Sequence, residues 1–386
     1  MDAVWIALIV IVLLIALVMI GWTRLLRRFV QRYYLEKYAP EELEPEQVQA
    51  YPKEHHLPDV PWITCSLQVC QSTSLQMIAA RYGVDYPRSY HDFLMGFTYG
   101  ASRMPGVGFS PFGSDPELGL SVAAPYLGLA RRYYTTDDPA LFCSALRSLL
   151  AQGHPLRLAL DMGTLYGQTA FIAHSEVLVG YDASGFNYYE TVGRPPANVQ
   201  PGTRPPGECG LYVPEDRLLL AVERMSAELK YPWRYALTLF EPADTDQDLR
   251  PVWTRNGNAL IEDNKYGPKM GVRVINELAD EIVRDGQKFK LETIRDGVTL
   301  AAQVRQDNAD FLRAVFPHET DVLEAAELME TAAKDYRLVI EDIEDGISSQ
   351  IEAKRVAARL RDAAIAERKT GEIFRKRGLP EEEQVK

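Results

Sequence analysis

The chain has 386 residues, a net charge of −12 and a globular composition, which leaves room for roughly two to three domains. An acidic balance argues against a nucleic-acid partner. Four cysteines in a chain this long do not build a secreted disulfide framework. The six scattered histidines include no pair at zinc-ligand spacing, so neither a metal nor a cofactor is expected.

The first element is Ala3 to Thr23, "AVWIALIVIVLLIALVMIGWT", which carries no charge. About 20 apolar residues span a bilayer as a helix, and Trp5 and Trp22 suit its two interfaces. A cleaved signal peptide would need a positive n-region and a shorter apolar core. Here Asp2 precedes the run, while Arg24, Arg27, Arg28, Arg32 and Lys37 follow it. That asymmetry predicts a single-pass transmembrane anchor in the cell membrane, with the bulk of the chain cytoplasmic. A reducing compartment also suits free thiols. Residues 24–57 begin as a basic helix and turn into the acidic, proline-punctuated "APEELEPEQVQAYPKEHHLP". They read as a juxtamembrane spacer, with His55 and His56 inside it.

From 58 to 243 the pattern is mixed. Leu75, Ile78, Ala79 and Tyr82 recur on one helical face and Gly83 is a stop, which predicts a helix over 71–82. Cys70 then falls at or just before its first turn, where open N–H groups favour a thiolate. A loop rich in Gly and Pro follows (100–119), and its "GVG" lacks the flanking strand and helix of a dinucleotide fingerprint. A helix near 138–152 carries Cys143 on its apolar face and ends by His154. The runs "PLRLALDM", "SEVLVGYD" and "FNYYETV" predict strands. "RPPANVQPGTRPPG" (194–207) reads as an exposed loop, with Cys209 just behind it. A helix with Pro214 in its first turn and a strand at "RYALTLF" close the region.

Residues 244–267 read as a linker, whose "DTDQDL" lacks the glycine and glutamate of a calcium loop. A helical domain is expected over 268–378 and a disordered tail over 379–386. Val322, Ala326, Met329, Ala333, Tyr336, Ile340 and Ile343 alternate four and three apart, the seam of a packed or coiled helix. The run from Gln350 to about Lys376 has the charge balance of a solvated helix. Such a bundle packs on the rest of the chain or on a second copy.

A catalytic cysteine needs a base, and the base an orienting partner. His174 opens the strand "HSEVLVGYD", and a second strand ends at Glu190. A hairpin between them brings the two near one another, although its register is not readable. Spacing alone favours a satisfied strand-edge histidine beside a solvated carboxylate. Glu176 is the reserve candidate for the acidic position, and Asp182 belongs to the turn.

"CQSTSLQMIAARYG" resembles the nucleophile helix of the papain-like cysteine peptidases, in particular the bacteriocin-processing (double-glycine) peptidases. Leu75, Met77 and Gly83 stand at that family's offsets from Cys70. "HSEVLVGYD" is similar to the family's histidine strand, and "GHPLRLALD" to the helix-to-strand step before it. The resemblance covers about residues 58–243. It implies a papain-like α+β fold and a triad of Cys70, His174 and Glu190, with Glu190 where the family usually has Asp. Gln71 replaces the glycine after the nucleophile, and Thr64 stands where the family carries its oxyanion-hole Gln. Gln68 is the substitute donor. The segments "GVRVINELADEIV" and "NADFLRAVFPHETDVLEAAELMETAAKDYRLVIEDI" resemble the helical second domain of butirosin biosynthesis protein H and its relatives, which implies acyl transfer from a carrier thioester to an amine. Three functions follow: a peptidase or amidase, a carrier-dependent acyltransferase, or a papain-like scaffold without catalysis. The substrate is then a peptide or an acyl carrier.

Overall fold

The computed structural model describes residues 32–380, apart from 66, 68, 105–107, 114, 193–209, 262–269 and 347. The expected anchor, the 194–207 loop, Cys209 and all but the first two residues of the expected tail lie outside the described residues. Among the described residues no helix is long and apolar enough to cross a membrane. The chain forms a mixed α+β protein with a large C-terminal helical region. It divides into two bodies, the first drawn from Met1–Pro58, Arg132–Tyr189 and Pro195–Leu239, the second from Asp59–Arg131, Glu190–Arg194 and Phe240–Lys386.

The first body carries the main sheet. Its strands are β1 (Glu41–Glu42), β2 (His55–His56), β5 (Leu129–Thr136), β6 (Leu156–Asp161), β7 (Ala173–Tyr181), β8 (Gly185–Tyr189), β9 (Leu211–Pro214) and β10 (Tyr235–Pro242). They stand in the order β1-β5-β10-β6-β7-β8-β9, with β2 also paired to β7. Every residue of β8, and all of β7 but its first, is buried. That explains why the stretch Val177–Tyr181 reads as a continuous apolar run without alternation. Helix α5 (Pro139–Ala151) starts where Asp138 accepts from the amides of Ala140 and Leu141 with Pro139 at its first position, the side-chain cap that open helix starts favour. The short helix α6 (Met162–Leu165) follows β6, and helix α7 (Glu215–Leu229) buries Leu218, Ala221, Val222 and Met225.

From residue 32 on, the expected juxtamembrane spacer is part of this body, a correction to its reading as a spacer. Residues 32–38 form a helix, α1. β1 runs parallel to β5 with Glu41 opposite Tyr134, and β2 lies antiparallel to β7 with His55 opposite Tyr181. The reason is aromatic packing: Tyr34 and Tyr38 insert among Tyr133, Tyr231 and Trp233, at centroid separations of 5.0–6.4 Å.

The second body contains α2 (Cys70–Arg81), α3 (Arg88–Met95), the hairpin β3 (Ser102–Met104) and β4 (Gly108–Ser110), and α4 (Pro116–Ala123). It continues with α8 (Arg250–Ile261), α9 (Val272–Asp285), α10 (Glu292–Val315), α11 (Thr320–Asp345) and α12 (Gln350–Arg377). The hairpin and α4 occupy the stretch expected to be loop at 100–119. α8 occupies the expected linker and packs Trp253 against Phe93, 4.6 Å between centroids. A composition break near residue 243 therefore does not separate two packing bodies, because α2–α4 share one core with the C-terminal helices.

The seam on α11 is buried as its spacing predicts, with Val322, Ala326, Met329, Ala333 and Tyr336 all inaccessible. α12 corrects the expectation of a solvated helix. Ala353, Val356, Ala357, Leu360, Ala363 and Phe374 are buried in it, and a Cβ on Gly371 would come 2.5 Å from Ile261. Its buried face is mostly alanine, which carries little hydropathy yet lets helices approach closely.

A buried polar network ties the 98–100 segment to this bundle. Arg305 Nε and Nη2 donate to the Glu367 carboxylate at 2.8 and 3.0 Å, and Tyr336 donates to it at 2.8 Å. Arg305 also donates to the Thr98 and Gly100 carbonyls. Asn308 exchanges hydrogen bonds with Thr98 at 2.9 and 3.1 Å. Buried charge is tolerated here because each partner is satisfied.

Candidate active-site residues

Cys70 is the first residue of α2, as the helical spacing predicts, behind Val69 at the cap. Val69 has no side chain that could cap this terminus, where the first amides and the helix dipole favour a negative atom. The hydroxyls of Ser72 and Thr73 both donate to the Val69 carbonyl at 3.0 Å, which fixes the entry of the chain. Cys70 is 7 % exposed, and its thiol donates to Gln71 Oε1 at 3.0 Å. The residue that replaces the resembled family's glycine thus sits directly on the thiol.

Two more residues of the reading belong to this second body. Glu190 is buried. Its carboxylate accepts from the Val192 amide at 3.0 Å and its carbonyl from the Trp62 indole at 2.9 Å. Thr64 is exposed, next to Cys65, whose amide donates to Thr191 at 2.9 Å. Gln68 lies outside the described residues.

In the first body His174 is the second residue of β7 and 4 % exposed. Its Nε2 lies 3.1 Å from Glu176 Oε1, a fully buried carboxylate. Strand geometry accounts for this contact. Residues two apart share a face of the pleat, and the register places His174 opposite Leu160 and Glu176 opposite Leu158 on β6. The carboxylate on the ring in this body is thus the reserve candidate, and the i, i+2 spacing in "HSE" was its signal. Asp182 has the turn role expected of it. Burial raises its carboxyl, but hydrogen bonds from Ser184, Tyr212 and Gly185 outweigh that and hold it below the usual carboxylate range.

One supporting residue escapes a sequence reading. Asp161, at the end of β6, is buried and accepts from the amides of Gly163, Thr164 and Ile172 at 2.8–3.0 Å. It also accepts from the Thr164 hydroxyl at 2.6 Å and pairs with Arg224 of α7 at 2.9 Å. This one carboxylate closes residues 162–172 and delivers the chain into β7 immediately before His174. Nothing local distinguishes it from an ordinary strand-end Asp.

Of the other described thiols, Cys143 is a poor nucleophile. Burial, reinforced by Glu215, pushes the Cys143 thiol up to about 12, so it stays protonated at neutral pH. Cys65 is partly exposed and free of any disulfide.

No family model matches this chain, and no curated protein matches its sequence.

Proposed function

We propose that the protein is a membrane-anchored enzyme of papain-like type that uses the Cys70 thiolate to attack the carbonyl carbon of an amide or thioester. His174 takes the thiol proton and returns it to the leaving amine or thiol. Water then hydrolyses the enzyme thioester, as in a peptidase or amidase. A buried carboxylate orients the imidazole and favours its charged form, and Glu176 and Glu190 are the two contenders. The observation that carries this reading is the buried His174–Glu176 pair, because a desolvated imidazole with a fixed carboxylate has the makings of a general base. A cysteine at the open first turn of a twelve-residue helix supports it. The anchor at residues 3–23 rests on hydropathy and flanking charge.

Gln71 favours a second reading. Its amide oxygen accepts the thiol proton, which stabilises the neutral thiol and suits a non-catalytic scaffold. Turned by half a rotation, the same amide donates to a thiolate or to a developing oxyanion.

Acylation with a p-nitrophenyl ester, followed by intact-mass measurement and peptide mapping, separates the possibilities. A hydroxylamine-labile adduct on Cys70 that decays in water and is absent in His174→Ala supports the hydrolase. Decay accelerated by an added amine identifies an acyltransferase. Failure of Cys70 to acylate ahead of Cys65 identifies the scaffold.

A further inference from the structure

We infer that the outer face of α1 beds in the headgroup layer of an anionic bilayer, so that the first body is held at the membrane surface and not lifted off it. The inference rests on the proposed anchor and extends it to a docking surface. α1 has two faces of opposite character. Its inner face is locked to the body by the rings of Tyr34 and Tyr38, and the Tyr34 hydroxyl donates to the Leu229 carbonyl at 2.9 Å. The chain beyond it is pinned as well, because β1 pairs with β5 and Arg132 donates to Glu41 at 3.1 Å. Such a segment behaves as a bracket with no slack.

The outer face presents Tyr33 and Leu35, 49 % and 51 % exposed. Lys37 Nζ stands 5.1 Å from the Tyr33 ring and 5.3 Å from the Tyr38 ring, and Arg32 bonds to Glu36 at 2.7 Å with its side chain 80 % exposed. Tyr33 and Leu35 border this face on opposite sides with the exposed Arg32–Glu36 pair between them, and an aromatic ring and an aliphatic side chain at the edges of a polar strip match the layer where hydrocarbon gives way to headgroups. The chain outside the structure selects the occupant. The uncharged run ends at Thr23, only residues 24–31 separate it from α1, and Arg24, Arg27 and Arg28 lie among them. Even fully extended, eight residues reach about 28 Å. Positive charge clustered beside a span draws in anionic lipid.

Photocrosslinking tests this on the full chain reconstituted in phosphatidylcholine vesicles with and without phosphatidylglycerol. p-Benzoylphenylalanine is placed in turn at Tyr33, Leu35 and Tyr38, and adducts are read by mass spectrometry. Lipid adducts are expected at positions 33 and 35, several-fold more with phosphatidylglycerol, whereas position 38 should crosslink to protein alone. The combined change Arg32→Gln and Lys37→Gln should lower the phosphatidylglycerol enhancement at positions 33 and 35, and adding Arg24→Gln, Arg27→Gln and Arg28→Gln should remove it. A chain that floats with the vesicles but gives no lipid adduct at 33 or 35 overturns the docking surface and leaves the anchor standing. A chain that does not float overturns the anchor, and the docking surface with it. Equal yields on the two vesicle types refute the preference for anionic lipid.

Discussion

Replacing Glu176 by Gln keeps the shape of the side chain beside His174 and removes only its charge. The two groups are 3.1 Å apart and essentially without solvent. At that separation a unit-charge pair is worth about 5 kcal/mol at an effective dielectric of about 20. Desolvation of both partners cancels much of this, which leaves roughly 1.5–3 kcal/mol for the close charged pair. At 1.36 kcal/mol per tenfold change, the imidazolium–thiolate form should fall roughly 10- to 100-fold. The readout is the rate of iodoacetamide labelling of Cys70 between pH 6 and 10, mapped by mass spectrometry with buried Cys143 as the unreactive internal reference. Glu176→Gln should label Cys70 roughly 10- to 100-fold more slowly near pH 7 and approach the parent rate toward pH 10, where a thiol ionises without help. Unchanged labelling at pH 7 would refute the assignment, as would an equal loss at every pH. Glu190→Gln, measured alongside, assigns the role. If it carries the loss and Glu176→Gln does not, the orienting carboxylate is Glu190.

The other expectations concern stability and its dependence on pH. Glu367→Met strands the buried Arg305 guanidinium and should cost about 3–5 kcal/mol, read from the urea midpoint; the pair Arg305→Met with Glu367→Met should cost less than Glu367→Met alone, and a larger loss from the pair contradicts the network. Asp161→Ala removes an ion pair and the acceptor of three backbone amides and should cost about 3–5 kcal/mol, with thermal melting as the measure; a shift within the noise of surface variants contradicts its place under β7. His91 and Asp92 should nearly cancel in stability against pH. Burial pushes Asp92 up from 3.8 to about 6 despite Arg88, so its contribution is present below about pH 4 and lost as pH rises to about 6. Burial also pushes His91 down from 6.5 to about 4, so its contribution is present above about pH 6.5 and lost as pH falls toward 4. His91→Phe should make stability fall by about 3 kcal/mol between pH 4 and 6, and Asp92→Asn should make it rise by a similar amount. Parallel slopes in the two variants would show that the opposed titrations do not exist.

Local pattern alone determined a good deal. The stripe of Leu75, Ile78 and Ala79 and the stop at Gly83 placed α2 with Cys70 at its start, because helix phase and termination depend on neighbours within a turn. Pro214 marked the entry to α7, and the α11 seam marked a buried helix face, for the same reason. The apolar runs at β6, β7, β8 and β10 marked strands, but not their neighbours. Only the tertiary structure decided which strands pair, whereas the shared face of Glu176 and His174 follows from the two-residue period of a strand. Only packing across nearly two hundred residues could show that Tyr34 and Tyr38 dock on Tyr231 and Trp233 and turn an apparent spacer into part of a sheet. The alanine face of α12 and the Arg305–Glu367 pair were hidden because an alanine or a single charge carries almost no local signal. Their burial is imposed by partners distant in the chain, and so is the union of α2–α4 with the C-terminal helices.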